Sequence, residues 1–149
     1  MPQKLSPDYI RGLIDGEGCF TFFTNLKLGI KMPAFVLRMH ARDKELIESV
    51  KYSLGLRNKI YEYHYPYDYP AKRNRVNRGP QAVLIVREMD QLKNIIVPFF
   101  YKRLYGHKGK QFLEWVEKIG SDSEVPERFK FIHKLYKIGY YEKNSKKFD

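Results

Sequence analysis

The stretch from residue 6 to residue 18 constrains the fold more than any other part of the chain. Ser6 is a favoured helix N-cap, Pro7 suits the first helical position, and Asp8 places negative charge in the first turn. A helix is therefore predicted to begin here. Three apolar residues recur at helical spacing and predict a face turned toward a core: Ile10, Leu13 and Ile14.

A second face of this helix carries Tyr9, Gly12 and Gly16. Each glycine inside a helix costs about 1 kcal/mol relative to alanine, so two of them indicate a packing reason. Glycines four residues apart make a flat surface that a second backbone can approach closely. This face is therefore predicted to pack against another helix.

The helix is expected to end in the run Asp15-Gly16-Glu17-Gly18. The C-terminal end of a helix carries partial negative charge and disfavours an added anion. A metal ion bound at this end would resolve the conflict.

Residues 10–18 resemble the LAGLIDADG motif, and the chain resembles the single-motif LAGLIDADG homing endonucleases over residues 5 to 120. Ile10 stands for the first Leu, and Gly12, Leu13-Ile14-Asp15 and Gly18 match the motif. Arg11 and Gly16 replace the two alanines, and Glu17 replaces the second Asp. The resemblance implies an α+β fold of order αββαββα with a saddle-shaped antiparallel sheet, followed here by two C-terminal helices. The whole chain, residues 1–149, is expected to form one endonuclease domain.

The resemblance also implies a metal site. The second acidic position, Glu17, binds the catalytic divalent cations in this family, the Gly16 carbonyl is a plausible second ligand, and Asp15 is structural. Magnesium is the expected ion because the donors are hard oxygens. Manganese is expected to substitute, and calcium is expected to support binding without cleavage. Single-motif members are homodimers, which places Tyr9, Gly12, Asp15 and Gly16 at the dimer interface.

A basic residue after the third helix supports the charged transition state in this family. Lys108 fits this position best and Lys110 is second, although either lysine could act only as a phosphate contact. The family often carries Gln at the exit of the second strand, where this chain has Ala41. His40, Arg42 or water could fill that role, and His40 is interpreted as a strand residue that touches DNA or solvent.

The charge of the chain favours a polyanionic partner. The formal net charge is +11 and the pI is about 9.6. Residues 18 to 42 contain no acidic side chain, and residues 57 to 87 contain seven basic ones. Cys19 is the single cysteine, which excludes an intrachain disulfide and a cysteine zinc site. No apolar run is long enough for a membrane helix, and the N-terminus lacks a signal-peptide pattern, so an intracellular protein is expected.

Periodicity predicts the remaining elements in order. They are a strand from Phe20 to Lys27, a strand from Phe35 to Ala41, a helix capped by Asp43 and stopped by Gly55, a strand from Lys59 to Tyr65, a loop over 66–80, a strand from Gln81 to Arg87, a helix capped by Asp90 and ended by Pro98, two helices with stripes at Phe112 to Ile119 and Phe129 to Tyr136, and a frayed basic tail over 143–149.

The outer faces of the strands are the predicted DNA-reading surface, because a β-ribbon fits the major groove. Candidates by alternation are Thr21, Asn25, Lys27, Arg38, His40, Lys59, Tyr61, Tyr63, Gln81 and Arg87. Four basic loop residues are predicted to contact phosphates: Lys72, Arg73, Arg75 and Arg78.

Three functions remain open at this stage. The first is an intron-encoded, site-specific DNA endonuclease that cuts both strands of a long, near-palindromic site and leaves short 3′ overhangs. The second is a maturase that binds intron RNA and assists splicing, because a basic, tyrosine-rich sheet could also stack RNA bases. The third is an inactive DNA-binding regulator, which the retention of Glu17 disfavours. An organellar and a prokaryotic location are both compatible with the sequence.

Overall fold

The computed structural model describes residues 1–64 and 79–149. Its strands are β1 (Gly18–Asn25), β2 (Ile30–His40), β3 (Ile60–Tyr63) and β4 (Gln81–Val86). Its helices are α1 (Pro7–Glu17), α2 (Lys44–Leu54), α3 (Met89–Gln91), α4 (Val97–Phe100), α5 (His107–Ser121), α6 (Lys130–Lys137) and α7 (Tyr140–Asn144). Short 3₁₀ turns span Ala41–Asp43, Glu127–Phe129 and Lys146–Phe148. Within the described residues no helix has the length and hydropathy needed to cross a membrane.

The four strands form one antiparallel sheet in the order β1-β2-β4-β3. The helices cover one face of this sheet, where Phe20 and Phe35 meet Phe100 at ring-centroid distances of 5.7 and 5.5 Å. The other face carries only a small apolar cluster, centred on Ala34 and Val83. The predicted α+β fold with an antiparallel sheet and the order αββαββα is confirmed.

Helix α1 begins as predicted from its capping residues. The Ser6 hydroxyl accepts a hydrogen bond from the Tyr9 backbone N–H at 3.1 Å, which satisfies one of the free donors of the first turn. Ile10 and Ile14 are buried, and Leu13 is half-buried against the same core. The cap and the apolar face therefore fix both the start and the rotation of the motif helix.

The boundaries of the first two strands differ from the prediction. β1 ends at Asn25 because the Asn25 Oδ1 accepts hydrogen bonds from the backbone N–H groups of Lys27 and Leu28, at 3.1 and 3.2 Å. This side-chain turn competes with strand pairing. Leu26, placed in the first strand by the prediction, lies in this turn and is 90% exposed. β2 begins earlier than predicted, at Ile30, which pairs with Asn25.

The predicted start and end of the third helix are both wrong. It begins at Met89 rather than after Asp90, whose carboxylate instead forms an ion pair with Arg57 at 2.9 Å. It also continues through Pro98 to Phe100, because a π-helical turn over Leu92–Ile96 joins α3 to α4. The wider π turn changes the hydrogen-bond register just before the proline, which could not donate an N–H in a regular helix.

The C-terminal residues 141–149, which include the predicted basic tail over 143–149, contact the body of the protein. The Tyr141 side chain is fully buried, and its hydroxyl donates a hydrogen bond to the Lys93 carbonyl at 3.0 Å. The Phe148 ring lies 5.8 Å from the Phe99 ring. The basic composition concealed these apolar anchors, which are spaced too irregularly to give a stripe.

Candidate active site and nucleic-acid interface

Helix α1 passes directly into strand β1, and Glu17 is its last residue. A Cβ on Gly18 would lie 2.5 Å from the Ile14 Cγ2 and 3.1 Å from the Ile14 carbonyl oxygen, so only glycine allows this change of direction. The Glu17 side chain is exposed, and within the described residues it makes no hydrogen bond or ion pair. The junction therefore presents a carboxylate that the chain does not use for its own packing.

The neighbouring carboxylate of Asp15 has a different environment. Both of its oxygens lie 3.1 Å from the Tyr105 backbone nitrogen, which donates its N–H to them. A backbone donor thus offsets the Asp15 charge at this end of α1. The contact ties the end of α1 to the segment that leads into α5.

The first turn of α5 carries both predicted lysines. Lys108 is half-buried, whereas Lys110 is exposed and borders a cavity of about 170 Å³. A Cβ on Gly109 would lie 2.8 Å from the Leu104 carbonyl oxygen, so this turn folds closely onto the preceding segment. The Gln111 Oε1 accepts a hydrogen bond from the Phe20 N–H at 3.2 Å and connects the same turn to β1.

Sequence reasoning missed Gln111 because one amide side chain in a helix gives no distinctive signal. The one signal in the sequence for its contact with β1 was its position between Lys110 and the buried Phe112. The Gln111 contact attaches the first turn of α5 to β1, and the Asp15 contact attaches the segment before this turn to α1. These are the two elements that meet at Glu17.

The strand register determines which predicted DNA-reading residues share the outer face of the sheet. Tyr61 and Arg38 both pair with Val83, a member of the outer apolar cluster, so their side chains lie on that face. By the same alternation the outer face carries Thr21, Asn25, His40, Tyr63 and Gln81, with Lys59 just before β3 and Arg87 just after β4. Lys27 lies in the turn after β1. Lys72, Arg73, Arg75 and Arg78 lie outside the described residues.

One end of the outer face is concave and rich in aromatic and basic groups. A cavity of about 460 Å³ is bordered by both tyrosines of β3 and by Phe23, whose ring centroid lies 5.8 Å from the Arg87 guanidinium. Asn58 donates to the Glu88 carboxylate at 2.6 Å, and Gln91 donates to the Asn58 side-chain oxygen at 2.7 Å. This polar network, which the sequence did not reveal, fixes the two ends of the cavity rim relative to each other.

At the exit of β2, Ala41 takes part in a backbone hydrogen bond and a turn. The Ala41 N–H donates to the Pro80 carbonyl at 2.9 Å, and the residue opens a 3₁₀ turn. The His40 Nδ1 accepts a hydrogen bond from the Arg42 backbone N–H at 3.1 Å. His40 therefore caps this turn, which agrees with its interpretation as a strand residue.

The donor set at the junction suits a hard divalent cation in part. Within the described residues no group of three or more His, Cys, Asp or Glu side chains could hold a metal ion. The Glu17 carboxylate and the adjacent Gly16 carbonyl remain as oxygen donors in an exposed position. Magnesium commonly binds through one or two carboxylates, several waters and substrate phosphates. The residues fit such an ion when further oxygens come from outside the chain.

The glycine face of α1 is open. Gly12 and Gly16 are exposed, and a Cβ on either would meet nothing within 4 Å. Tyr9 on the same face is 49% exposed. Packing among residues 1–64 and 79–149 therefore gives no reason for glycine at either position.

Residues 10–119 match the family model described as LAGLIDADG endonuclease, and the chain belongs to this family. The nine-residue motif occurs once in the chain, so this is a single-motif member. The structure of I-TnaI, a homing endonuclease, is similar over 99% of this chain and 100% of that chain, with 21% identity and a TM-score of 0.57.

Longer solved proteins match over part of their length. The I-LtrWI LAGLIDADG homing endonuclease bound to target DNA is 25% identical with a TM-score of 0.59, over 93% of this chain and 40% of that chain. I-SmaMI bound to uncleaved DNA target in the presence of calcium ions is 21% identical with a TM-score of 0.59, over 89% of this chain and 45% of that chain. This chain thus spans less than half the length of either. No curated protein matches the chain.

Proposed function

We propose that this protein is a homodimeric, divalent-metal-dependent DNA endonuclease that makes double-strand breaks at a long, near-palindromic site and leaves short 3′ overhangs. The observation that carries the proposal is the exposed Glu17 carboxylate at the junction of α1 and β1. It has no partner within the described residues and adjoins the polar outer face of the sheet. An exposed carboxylate that no group of the described residues contacts can serve as a metal ligand.

The outer face supports DNA as the substrate. Arg38, Lys59 and Arg87 are exposed on or beside it, and the net charge of the chain is +11. Side chains on a two-stranded ribbon can reach base edges in the major groove, while lysine and arginine at the rim contact phosphates. The longer relatives I-LtrWI and I-GzeII were solved with their DNA targets, which agrees with this assignment.

The open glycine face supports a dimer. Two helix glycines together cost about 2 kcal/mol relative to alanine, and no contact with the residues that the structure describes requires them. A second copy of α1 crossing at Gly12 and Gly16 would use the space that the missing side chains leave. Twofold symmetry would then bring two Glu17 carboxylates together, and a near-palindromic DNA site would match that symmetry.

The chemistry assigned to the chain is phosphodiester hydrolysis. Glu17 and the Gly16 carbonyl would hold the divalent cation, which neutralises phosphoryl charge and activates water when bound. Lys108, half-buried in the first turn of α5, would place its ammonium against the negative charge that develops on the phosphoryl oxygens. Lys110, exposed one half-turn further, would contact a neighbouring phosphate.

The test is cleavage of a randomised DNA library by the wild type and by Glu17→Gln, with magnesium, manganese or calcium. Magnesium-dependent double-strand cuts at one near-palindromic sequence, absent in Glu17→Gln, would support the proposal and supply the site. The matched control is Glu45→Gln, an exposed glutamate of α2 on the helical side of the sheet, which should cut as the wild type does. Equal cleavage by Glu17→Gln would overturn the assignment of Glu17.

An RNA-binding maturase is the second candidate, favoured by the 45% exposed Tyr61 ring on the outer face. This function would not need the Glu17 carboxylate, so Glu17→Gln should retain splicing assistance while losing cleavage. Tight calcium-supported DNA binding without cutting in magnesium would instead implicate Ala41 and favour a regulator or maturase.

A further inference from the structure

The segment that precedes the Lys108-bearing turn of α5 has little regular structure of its own. Residues 101–106, called the connector here, join α4 to α5. Lys102 within it has φ of +55°, and it is the only residue other than glycine with positive φ in the described part of the chain. Because this conformation is disfavoured for residues with a Cβ, the connector needs outside contacts to hold its shape.

Two carboxylates from the C-terminal segment supply such contacts. The Glu142 Oε1 accepts hydrogen bonds from the Tyr101 hydroxyl at 2.8 Å and from the Lys102 ammonium at 2.6 Å. The Asp149 carboxylate accepts from the Arg103 Nε at 3.1 Å and from its Nη2 at 2.6 Å. A two-pronged guanidinium–carboxylate contact fixes orientation as well as distance. The hydrogen bond from Tyr105 to Asp15 completes a series of contacts along the connector.

Asp149 also contacts the motif helix through Arg11. The Arg11 side chain is buried, its Nε donates to the Phe99 carbonyl at 3.0 Å, and its guanidinium lies 4.5 Å from the Phe99 ring centroid. Its Nη2 makes no hydrogen bond but lies 3.3 Å from the Asp149 Oδ1. A buried cation needs a counter-charge close by. The Asp149 carboxylate therefore joins α1, which ends in Glu17, to the connector, which leads to Lys108.

We infer that Glu142 and Asp149 are positioning residues that hold Lys108 in register with Glu17; this inference rests on the nuclease function proposed above. Neither acid contacts Glu17 or Lys108: Glu142 acts through the connector, and Asp149 acts through the connector and through Arg11 of α1. Displacements of about 1 Å at a reacting group can cost about 100-fold in rate, so a loosened connector affects catalysis before it affects DNA affinity.

The experiment compares Asp149→Asn and Glu142→Gln with the wild type at the cleavage site found for the wild type. We expect the single-turnover cleavage rate in magnesium to fall at least about 10-fold. Affinity for the target in calcium should change less than about 2-fold, because the outer face is untouched. Asp149→Glu keeps the charge and should recover part of the rate. Amide hydrogen exchange should be faster in the connector of both variants.

The matched control is Glu117→Gln. This carboxylate is 46% exposed against 44% for Asp149, and it also pairs with two cationic side chains, Lys137 at 2.8 Å and His133 at 3.3 Å. It joins α5 to α6 and does not contact the connector, so its removal should leave cleavage and connector exchange unchanged.

Wild-type cleavage by both positioning variants, or an equal rate loss in Glu117→Gln, would overturn the inference. If the wild type itself does not cleave DNA, the proposed function fails on its own. Hydrogen exchange at the connector still decides whether Asp149 and Glu142 hold it in place. Unchanged exchange in both variants would reject that role.

Discussion

Two acids two residues apart have opposite environments at the end of α1. Asp15 is half-buried and accepts the Tyr105 N–H, whereas Glu17 is exposed and makes no contact within the described residues. The motif resemblance implied this division between a structural and a metal-binding acid. The Asp15 partner lies 90 positions away in sequence, so no local pattern could have named it.

Replacing Asp15 with alanine should destabilise the fold by about 1 kcal/mol. A hydrogen bond to a charged acceptor contributes about 1.5–3 kcal/mol, and removing an anion from a helix C-terminus returns about 0.3–1 kcal/mol. The hydrogen-bond loss is therefore the larger effect. Urea unfolding measures the difference, and Asp15→Asn, which retains one acceptor oxygen, should lose less. An alanine variant as stable as the wild type would show that the Tyr105 contact contributes nothing.

At the scale of elements, the sequence predicted what depends on local chemistry. Ser6 starts α1, Gly55 ends α2 with φ of +72°, and periodicity predicted the strand β2, whose Phe35 and Leu37 are buried in the core. It failed at Pro98, because the π-helical turn that accommodates the proline is favoured by burial of the flanking apolar residues. Such tertiary preferences leave no mark in a window of neighbouring residues.

The end of α5 depends on a side chain from the next helix. The Lys130 ammonium donates to the carbonyls of Gly120 at 3.1 Å and Asp122 at 2.8 Å, which have no partners within the helix. Lys130→Met should lower the free energy of unfolding by about 1 kcal/mol. It should also speed amide exchange in the last turn of α5. Lys134→Met, at an exposed position of α6, is the control and should be neutral. Equal effects of the two variants would exclude a capping role for Lys130.

At the scale of the whole molecule, the candidate site is incomplete in one chain. The sequence predicted Glu17, Gly16 and both lysines, and the fold brings the lysine-bearing turn to β1 through Gln111. The strand order β1-β2-β4-β3 and the C-terminal contacts to the connector come from long-range packing, which one sequence does not encode in readable form. Under the proposed function, this chain with two oxygen donors and an open glycine face acts together with a second copy and with DNA.

The stability of the molecule should fall in acid. Salt-bridge hydrogen bonds lower the pKa of Glu117 beside Lys137, of Asp122 beside Lys31 and of Asp149 beside Arg103. A lowered folded-state pKa contributes stability above the unfolded-state pKa, about 4.3 for Glu and 3.9 for Asp, and this stability is lost as pH falls through the folded-state pKa. Denaturant midpoints should be level from pH 7 to about pH 5 and decline below pH 4. A midpoint that stays level down to pH 3 would contradict the contribution of these pairs.

The glycine face gives the sharpest test of assembly. The wild type should sediment as a dimer, at twice the chain mass of 17.8 kDa. Gly12→Leu should fold, because a Cβ there meets nothing within 4 Å in the described part of its own chain, but it should clash with a second copy of α1. Overpacking costs about 1–3 kcal/mol at each of two symmetry-related positions, so the dimer dissociation constant should rise at least about 30-fold.

The control for added apolar surface is Lys134→Leu, at an exposed position of α6, and this variant should remain dimeric. Sedimentation across micromolar concentrations, with circular dichroism to confirm folding, separates the outcomes. A monomeric wild type, or a Gly12→Leu variant that dimerises as tightly as the wild type, would remove α1 from the interface. The two Glu17 carboxylates would then not meet across its glycines, and double-strand cleavage would need another symmetry.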